Sequence, residues 1–134
     1  MYHYIDRPLG QLAAHEQFLV ASMRRWVMAR HMGRCAVRAA EPLFRMREAQ
    51  TALGAFHCLM SVLACHAACP LSFAAPCCLN VSEGEALLLS LIEAAREVPQ
   101  EELTSRCEGV IGADRAVELA FVVDRLAGAL AEAG

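Results

Sequence analysis

The sequence predicts an all-α protein, a compact bundle of four to six helices that folds as a single domain over residues 1–134. Its length of 134 residues suits one domain with a buried core. Apolar residues make up 57% of the chain but aromatic residues only 6%, so the core must be built from aliphatic helix formers such as its 25 alanines and 17 leucines. No segment alternates apolar and polar residues with the period of a strand. The high apolar content also excludes intrinsic disorder.

The first helix is expected to start near Asp6, which can cap it, with Pro8 in its first turn. Apolar residues then recur at helical spacing, which turns Arg24 and Arg25 away from the core. The members of this stripe are Leu9, Leu12, Leu19, Met23 and Trp26. Gly33 supplies a left-handed cap and ends the helix.

The second main helix is predicted to begin at Pro42 and to run from Leu43 to about Cys69, where Pro70 ends it. Residues 34–40 either form a short helix or continue the first one. Beyond Leu53 the second helix is apolar nearly all round, which is typical of a central helix surrounded by others.

The last third of the chain contains clear signals for helix ends. Residues 71–79 contain proline and are expected to be irregular. Ser82 and Glu85 form a Ser-x-x-Glu capping box that opens the next helix. Pro99 then starts a shorter helix, and Asp114 is expected to cap a final one.

Charge is distributed unevenly along the chain. All 12 basic residues are arginine, and against 15 acidic residues they give a net charge of -3. Residues 1–50 carry eight arginines and four acids, a balance of +4, while residues 81–134 carry four arginines and eleven acids, a balance of -7. The 34 residues 49–82 carry no formal charge. This distribution excludes a wholly basic nucleic-acid binder.

The basic half admits two interpretations. One face of a helix over this segment would carry Arg30, Arg34 and Arg38 together. In the first interpretation, this face is a docking surface for an acidic partner or phosphate. Alternatively, the basic half meets the acidic half, within the fold or between copies, and we favour this second interpretation. We therefore expect a homodimer or a protein partner and no nucleic acid, because Trp26 belongs to the apolar stripe.

The uncharged middle raises the question of a membrane. Ala49–Cys69 has the length of a membrane span but carries polar residues such as His57 and His66, so a buried helix is the preferred interpretation. The N-terminus lacks the plan of a secretory signal, and the seven cysteines lie in apolar, helix-forming stretches. A cytoplasmic protein with reduced thiols is expected.

Five residues form a candidate metal site: Cys65, His66, Cys69, Cys77 and Cys78. On a helix the thiols of Cys65 and Cys69 are about 6 Å apart along the axis, so both could reach one zinc or copper ion. His66 and Cys69 form a second helical pair, and the two cysteines after the proline-bounded loop could complete four ligands. The Cys65–Cys69 spacing resembles the thiol layout of bacterial copper-storage four-helix bundles, which repeat it on several helices, whereas it occurs once here.

Other interpretations of these residues remain open. Cysteine often packs as a small apolar residue, and the Cys77–Cys78 pair could instead act with Cys69 as a redox sensor. His57 is expected to be a hydrogen-bonded core residue, and no motif for nucleophilic or phosphate chemistry occurs. The sequence thus predicts a small, non-enzymatic helical protein that acts through self-association or partner binding. The alternative is a thiol-based metal-binding or redox-sensing protein.

Overall fold

A computed structural model describes residues 4–67 and 71–133, and within them it contains six α-helices and no strand. The structure is 76% helical, which confirms the all-α bundle. The helices are α1 (Ala14–His31), α2 (Ala36–Met46), α3 (Gln50–His66), α4 (Glu83–Glu97), α5 (Gln100–Ile111) and α6 (Ala116–Ala133), with short 3-10 turns at Leu9–Gln11 and Ala113–Arg115.

The centre of the bundle is occupied by α6, which packs against α3, α4 and α5. Its inner face buries Leu119, Val123 and Leu126 completely. On the other side, α1 and α2 pack against each other, and they reach the rest of the bundle through α4 and α3 respectively. Neither α1 nor α2 packs extensively against α5 or α6, although the C-terminal end of α6 lines a cleft together with the start of α1.

The prediction of one central helix over residues 43–69 is wrong in two respects. The segment is divided between α2 and α3, and α3 buries one face only instead of being surrounded, so that Cys58 and Cys65 are exposed. Its buried stripe follows helical spacing: Ala52, Ala55, Phe56, Leu59, Met60 and Leu63. Among the described residues, no helix combines the length and hydropathy needed to cross a bilayer. The predicted end at Cys69 and Pro70 lies outside the described residues.

The break between α2 and α3 is a tight corner at Glu48. Pro42, the expected starting residue, instead lies inside α2. Glu48 adopts a left-handed φ of 55°, and the N–H of Ala49 donates to the Phe44 carbonyl at 2.8 Å, which closes α2. The corner brings the rings of Phe44 and Phe56 to a centroid distance of 5.0 Å. In a continuous helix these residues would lie about 18 Å apart along the axis, so packing favours the break.

The chain enters α1 later than predicted, at Ala14. Asp6 does not cap the helix: it has a left-handed φ of 57°, and its N–H donates to the Val81 carbonyl at 3.0 Å. The N–H of Leu9 likewise donates to the Leu79 carbonyl at 2.8 Å. Because these N–H groups are used in pairing with a distant segment, the helix cannot begin among them.

The turn between α1 and α2 follows the predicted glycine cap. Gly33 has a φ of 72°, its N–H donates to the Arg30 carbonyl at 3.2 Å, and the N–H of Arg34 donates to the Ala29 carbonyl at 2.8 Å. This is a Schellman motif, in which glycine adopts the left-handed conformation without steric cost. The turn separates Arg30 on α1 from Arg38 on α2, so the three arginines do not share one helical face.

The second half of the chain follows its predicted helix starts closely. The Ser82 hydroxyl accepts a hydrogen bond from the Glu85 N–H at 3.4 Å, and the Ser82 N–H donates to Glu85 Oε1 at 3.0 Å, which confirms the capping box. Pro99 immediately precedes α5, as predicted. The prediction that Asp114 caps the final helix is wrong, because Asp114 lies inside a 3-10 turn and α6 starts two residues later at Ala116.

Candidate interaction surface

The predicted cysteine–histidine site is only partly within the described residues. Cys65 and His66 are exposed in the last turn of α3, and Cys77 and Cys78 are exposed in the irregular segment that follows. Cys69 lies outside the described residues. Within residues 4–67 and 71–133, no three His, Cys, Asp or Glu side chains are grouped so that they could hold a metal ion. The five-residue metal site therefore stays a prediction.

A buried ion pair joins α1 to α4. Arg24 and Glu85 are 2% and 0% exposed, and they meet in a bidentate contact with Nε–Oε2 and Nη2–Oε1 distances of 2.9 Å. The expectation that Arg24 and Arg25 both point away from the core is correct for Arg25 and wrong for Arg24. A buried guanidinium is tolerable here because a carboxylate and further acceptors surround it.

The same ion pair fixes the irregular segment that carries the two exposed cysteines. Arg24 donates to the Cys78 carbonyl at 2.6 Å and to the Asn80 carbonyl at 2.9 Å, while Glu85 accepts from the Ala74 N–H at 2.9 Å. Every polar atom of the pair is thus directed at a protein partner. The pair is a structural clamp rather than a reactive site, and only the capping role of Glu85 was visible in the sequence.

A cleft of about 710 Å³ opens beside Tyr4, between α1, α4 and the C-terminal end of α6. The Tyr4 hydroxyl donates to Glu16 Oε2 at 2.7 Å and also lies within hydrogen-bonding distance of the Glu93 carboxylate. Burial, reinforced by the carboxylates of Glu93 and Glu16, raises the pKa of the Tyr4 phenol far above its ordinary value. Tyr4 therefore remains protonated and ties the start of the chain to the two helices.

His57, predicted to be a hydrogen-bonded core residue, is only half-buried. The indole Nε1–H of Trp26 donates to His57 Nδ1 at 3.0 Å, which makes that nitrogen the acceptor. Trp26 is 2% exposed, and the Arg30 guanidinium lies 5.7 Å from the centroid of its ring. The interaction holds α1 against α3 and confirms a hydrogen-bonded role for His57.

A second concavity, of about 460 Å³, lies where α1 ends and α2 begins, and we call it the α1–α2 groove. Arg25, Arg34 and Arg38 line it and are all exposed. Met28 and Met32, one helical turn apart on α1, also line it, with exposed fractions of 43% and 56%. The groove therefore combines a flexible apolar surface with three permanent positive charges.

The positive charge of the α1–α2 groove is not neutralised locally. Among the described residues, none of its three arginines lies within ion-pairing distance of an acid. Elsewhere, three exposed arginines pair with nearby acids on their own helix or turn: Arg45 with Glu41, Arg106 with Glu102 and Arg115 with Glu118. The exposed Arg96 and Arg125 resemble the groove arginines in forming no ion pair with a described residue. Cys35 precedes α2 and makes no side-chain cap, so the N–H groups of the first turn of α2 add partial positive charge.

Two of the three arginines of the groove, Arg34 and Arg38, were predicted from the sequence as a surface for a partner, whereas the groove itself was not predicted. The missed signal was the i, i+4 pair Met28 and Met32 on the polar side of α1, next to Arg25. Fold and surface together define a small all-α bundle with a basic, methionine-lined groove. No family model, curated protein or solved structure matches the chain.

Proposed function

We propose that the protein is a non-enzymatic binding module that holds an acidic, amphipathic helical segment of a protein partner in the α1–α2 groove. The observation that supports this function is the set of three exposed arginines, without acidic partners in the described chain, around two exposed methionines. Methionine adapts its shape to apolar side chains, and arginine binds carboxylates through its planar fork of donors. An amphipathic helix lying in a groove uses both kinds of contact.

The chemistry of the groove favours binding over catalysis. Arginine stays charged at every physiological pH, so it cannot exchange a proton with a substrate, and methionine has no acid–base function. The larger cleft beside Tyr4 is less suited to a ligand, because its phenol is already engaged with the carboxylates of Glu16 and Glu93.

The test uses fluorescence anisotropy with a labelled synthetic peptide of about 20 residues, built from glutamate and leucine at helical spacing. The matched probe replaces each glutamate by lysine. The protein has a net charge of -3, so global electrostatics favour the lysine peptide. We expect the acidic peptide to bind more tightly nonetheless, with an affinity that falls as salt is added.

Variants then locate the binding surface. Arg34→Glu/Arg38→Glu should weaken binding of the acidic peptide by at least about tenfold, because it reverses two of the three groove charges. Arg96→Glu/Arg125→Glu is the matched control, since it also reverses two exposed arginines and neither of them lines the groove. Equal binding of the two peptides, or equal effects of the two variants, would refute the proposed function.

A second candidate function is thiol-based metal binding by Cys65, His66, Cys69, Cys77 and Cys78. It is supported by the exposure of the three thiols among them that the structure describes, because a metal ion could reach each one. The test is the zinc and copper content of freshly purified, reduced protein, compared with a Cys65→Ser/Cys69→Ser variant. We expect stoichiometric metal that the variant loses; sub-stoichiometric metal together with normal folding of the variant would exclude this function.

A further inference from the structure

We infer that the occupant of the α1–α2 groove is the outer face of α6 on a second copy of this chain, so that copies associate head to tail. This inference rests on the proposed function, because it uses the same groove as the binding site. It names the partner through complementary charge and complementary apolar surface.

The first argument is charge. Residues 14–47, which contain α1 and α2, carry seven arginines and two acids. Residues 100–133, which contain α5 and α6, carry seven acids and three arginines, and all seven acids are exposed. Within the described part of the chain no ion pair joins these two regions. The attraction between them is thus available to a second molecule.

The second argument is the exposed apolar surface of α6. Val117 and Phe121 lie one helical turn apart and are 69% and 60% exposed, so together they form an apolar patch on the outer face of α6. Glu118 and Asp124, three residues before and after Phe121, flank it on the same face. Glu118 currently forms an exposed ion pair with Arg115, and such pairs contribute little, so its carboxylate can exchange partners readily.

The third argument is the position of the two surfaces in the bundle. The α6 helix is fixed by packing against α3, α4 and α5, and neither Val117 nor Phe121 lines the α1–α2 groove of its own chain. A molecule therefore cannot place its own α6 in its own groove. A contact between two different surfaces of identical chains is heterologous, and it produces a ring or an open chain of copies.

The experiment measures molar mass by sedimentation velocity over a range of protein concentrations, at about 0.02 M and about 0.5 M NaCl. We expect the mass to increase with concentration at low salt and to fall toward the monomer at high salt. The groove variant Arg34→Glu/Arg38→Glu and the α6 variant Glu118→Arg/Asp124→Arg should each weaken association at least about tenfold.

Recombining the variants tests the pairing itself. A mixture of the groove variant and the α6 variant should associate again, because the unchanged groove of one variant can bind the unchanged α6 face of the other, and their reversed surfaces are complementary as well. A chain carrying all four substitutions should also recover self-association. The control Glu101→Arg/Glu102→Arg changes the net charge by the same amount as the α6 variant does, but on α5, away from Phe121. It should therefore weaken association less than the α6 variant. Circular dichroism checks that each variant is folded, and Phe121→Ser tests the apolar contribution without changing charge.

Two outcomes would overturn the inference: a wild-type chain that stays monomeric at low salt, or an oligomer that neither charge reversal weakens. Failure of the mixed variants to associate would also overturn it. Binding of the acidic peptide to a monomeric wild type, lost in the groove variant, would leave the proposed function in place and refute only the second copy as its partner. A wild-type chain that neither binds the acidic peptide nor self-associates at low salt would refute both.

Discussion

Gly84 lies in the first turn of α4, where the helix passes directly over the backbone of Ser72. A Cβ atom at residue 84 would lie 2.4 Å from the Ser72 carbonyl oxygen and 3.1 Å from the Ser72 carbonyl carbon and amide nitrogen. At an open helical position, replacing glycine by alanine stabilises a protein by about 0.5–1 kcal/mol. At residue 84 we expect the opposite sign.

The size of the effect follows from the displacement that the methyl group requires. Ordinary contact starts near 3.4 Å, so Ser72 must retreat by about 1 Å from its present 2.4 Å. Its carbonyl oxygen accepts from the Gly84 N–H at 3.0 Å and from the Ser82 hydroxyl at 2.8 Å, and this movement would break both bonds. At about 0.5–1.5 kcal/mol for each bond, the two bonds contribute about 1–3 kcal/mol. After the gain in helix propensity of about 0.5–1 kcal/mol is subtracted, Gly84→Ala should destabilise the fold by about 0.5–2 kcal/mol.

Urea unfolding followed by circular dichroism at 222 nm measures the free energy of unfolding. Gly109→Ala provides the matched control, because residue 109 also lies in a helix, α5, and an added Cβ there meets nothing within 4 Å. The control should be more stable than the wild type, and Gly84→Ala less stable. If Gly84→Ala were as stable as Gly109→Ala, the close approach of Ser72 to α4 would be refuted.

Three further changes test other parts of the structure. Glu85→Gln leaves the Arg24 guanidinium buried without a carboxylate, so it should lower the free energy of unfolding in urea by about 3–5 kcal/mol. Glu83→Gln, exposed on the same turn, should lower it by less than about 1 kcal/mol. Similar losses of stability in the two variants would contradict the role of the ion pair as a clamp. Glu48→Gly should raise the free energy of unfolding by about 0.5–1 kcal/mol, because glycine adopts the left-handed φ of this residue without steric cost. Alanine does not relieve this cost, so equal stabilisation by Glu48→Ala would contradict the explanation. Burial raises the pKa of the Cys107 thiol from 9.0 to about 11. Because the unfolded chain then loses this proton at a lower pH than the folded chain, the free energy of unfolding should fall as the pH rises from about 9 to about 11. An identical pH profile for Cys107→Ala would contradict this origin.

Helix ends that are determined by capping residues close in sequence were predictable. The Ser82–Glu85 capping box and the Gly33 cap both depend on residues within one or two turns, and the structure contains both. The corner at Glu48 was not predictable in this way, because glutamate carries no local preference for a left-handed conformation. That corner is stabilised by the packing of Phe44 against Phe18 and Phe56, which lie far from it in sequence.

The candidate site shows the same division. The sequence identified Arg34 and Arg38 as basic residues available for a partner, since their charge and spacing are local properties. It could not show that Arg25, Met28 and Met32 join them, because the groove exists only after the turn at residue 33 has folded α2 back against α1.

By itself the sequence determined the all-α class, most helix ends in the second half of the chain and the separation of charge into a basic and an acidic part. Periodicity, capping residues and composition are sufficient for these because each acts within a few residues of the chain. Only the tertiary structure decided which arginine is buried. Arg24 and Arg25 are neighbours with the same charge, but Arg24 meets Glu85, 61 residues away, and Arg25 remains at the surface. Burial of a charge depends on acceptors brought from distant segments, and no local pattern encodes their positions.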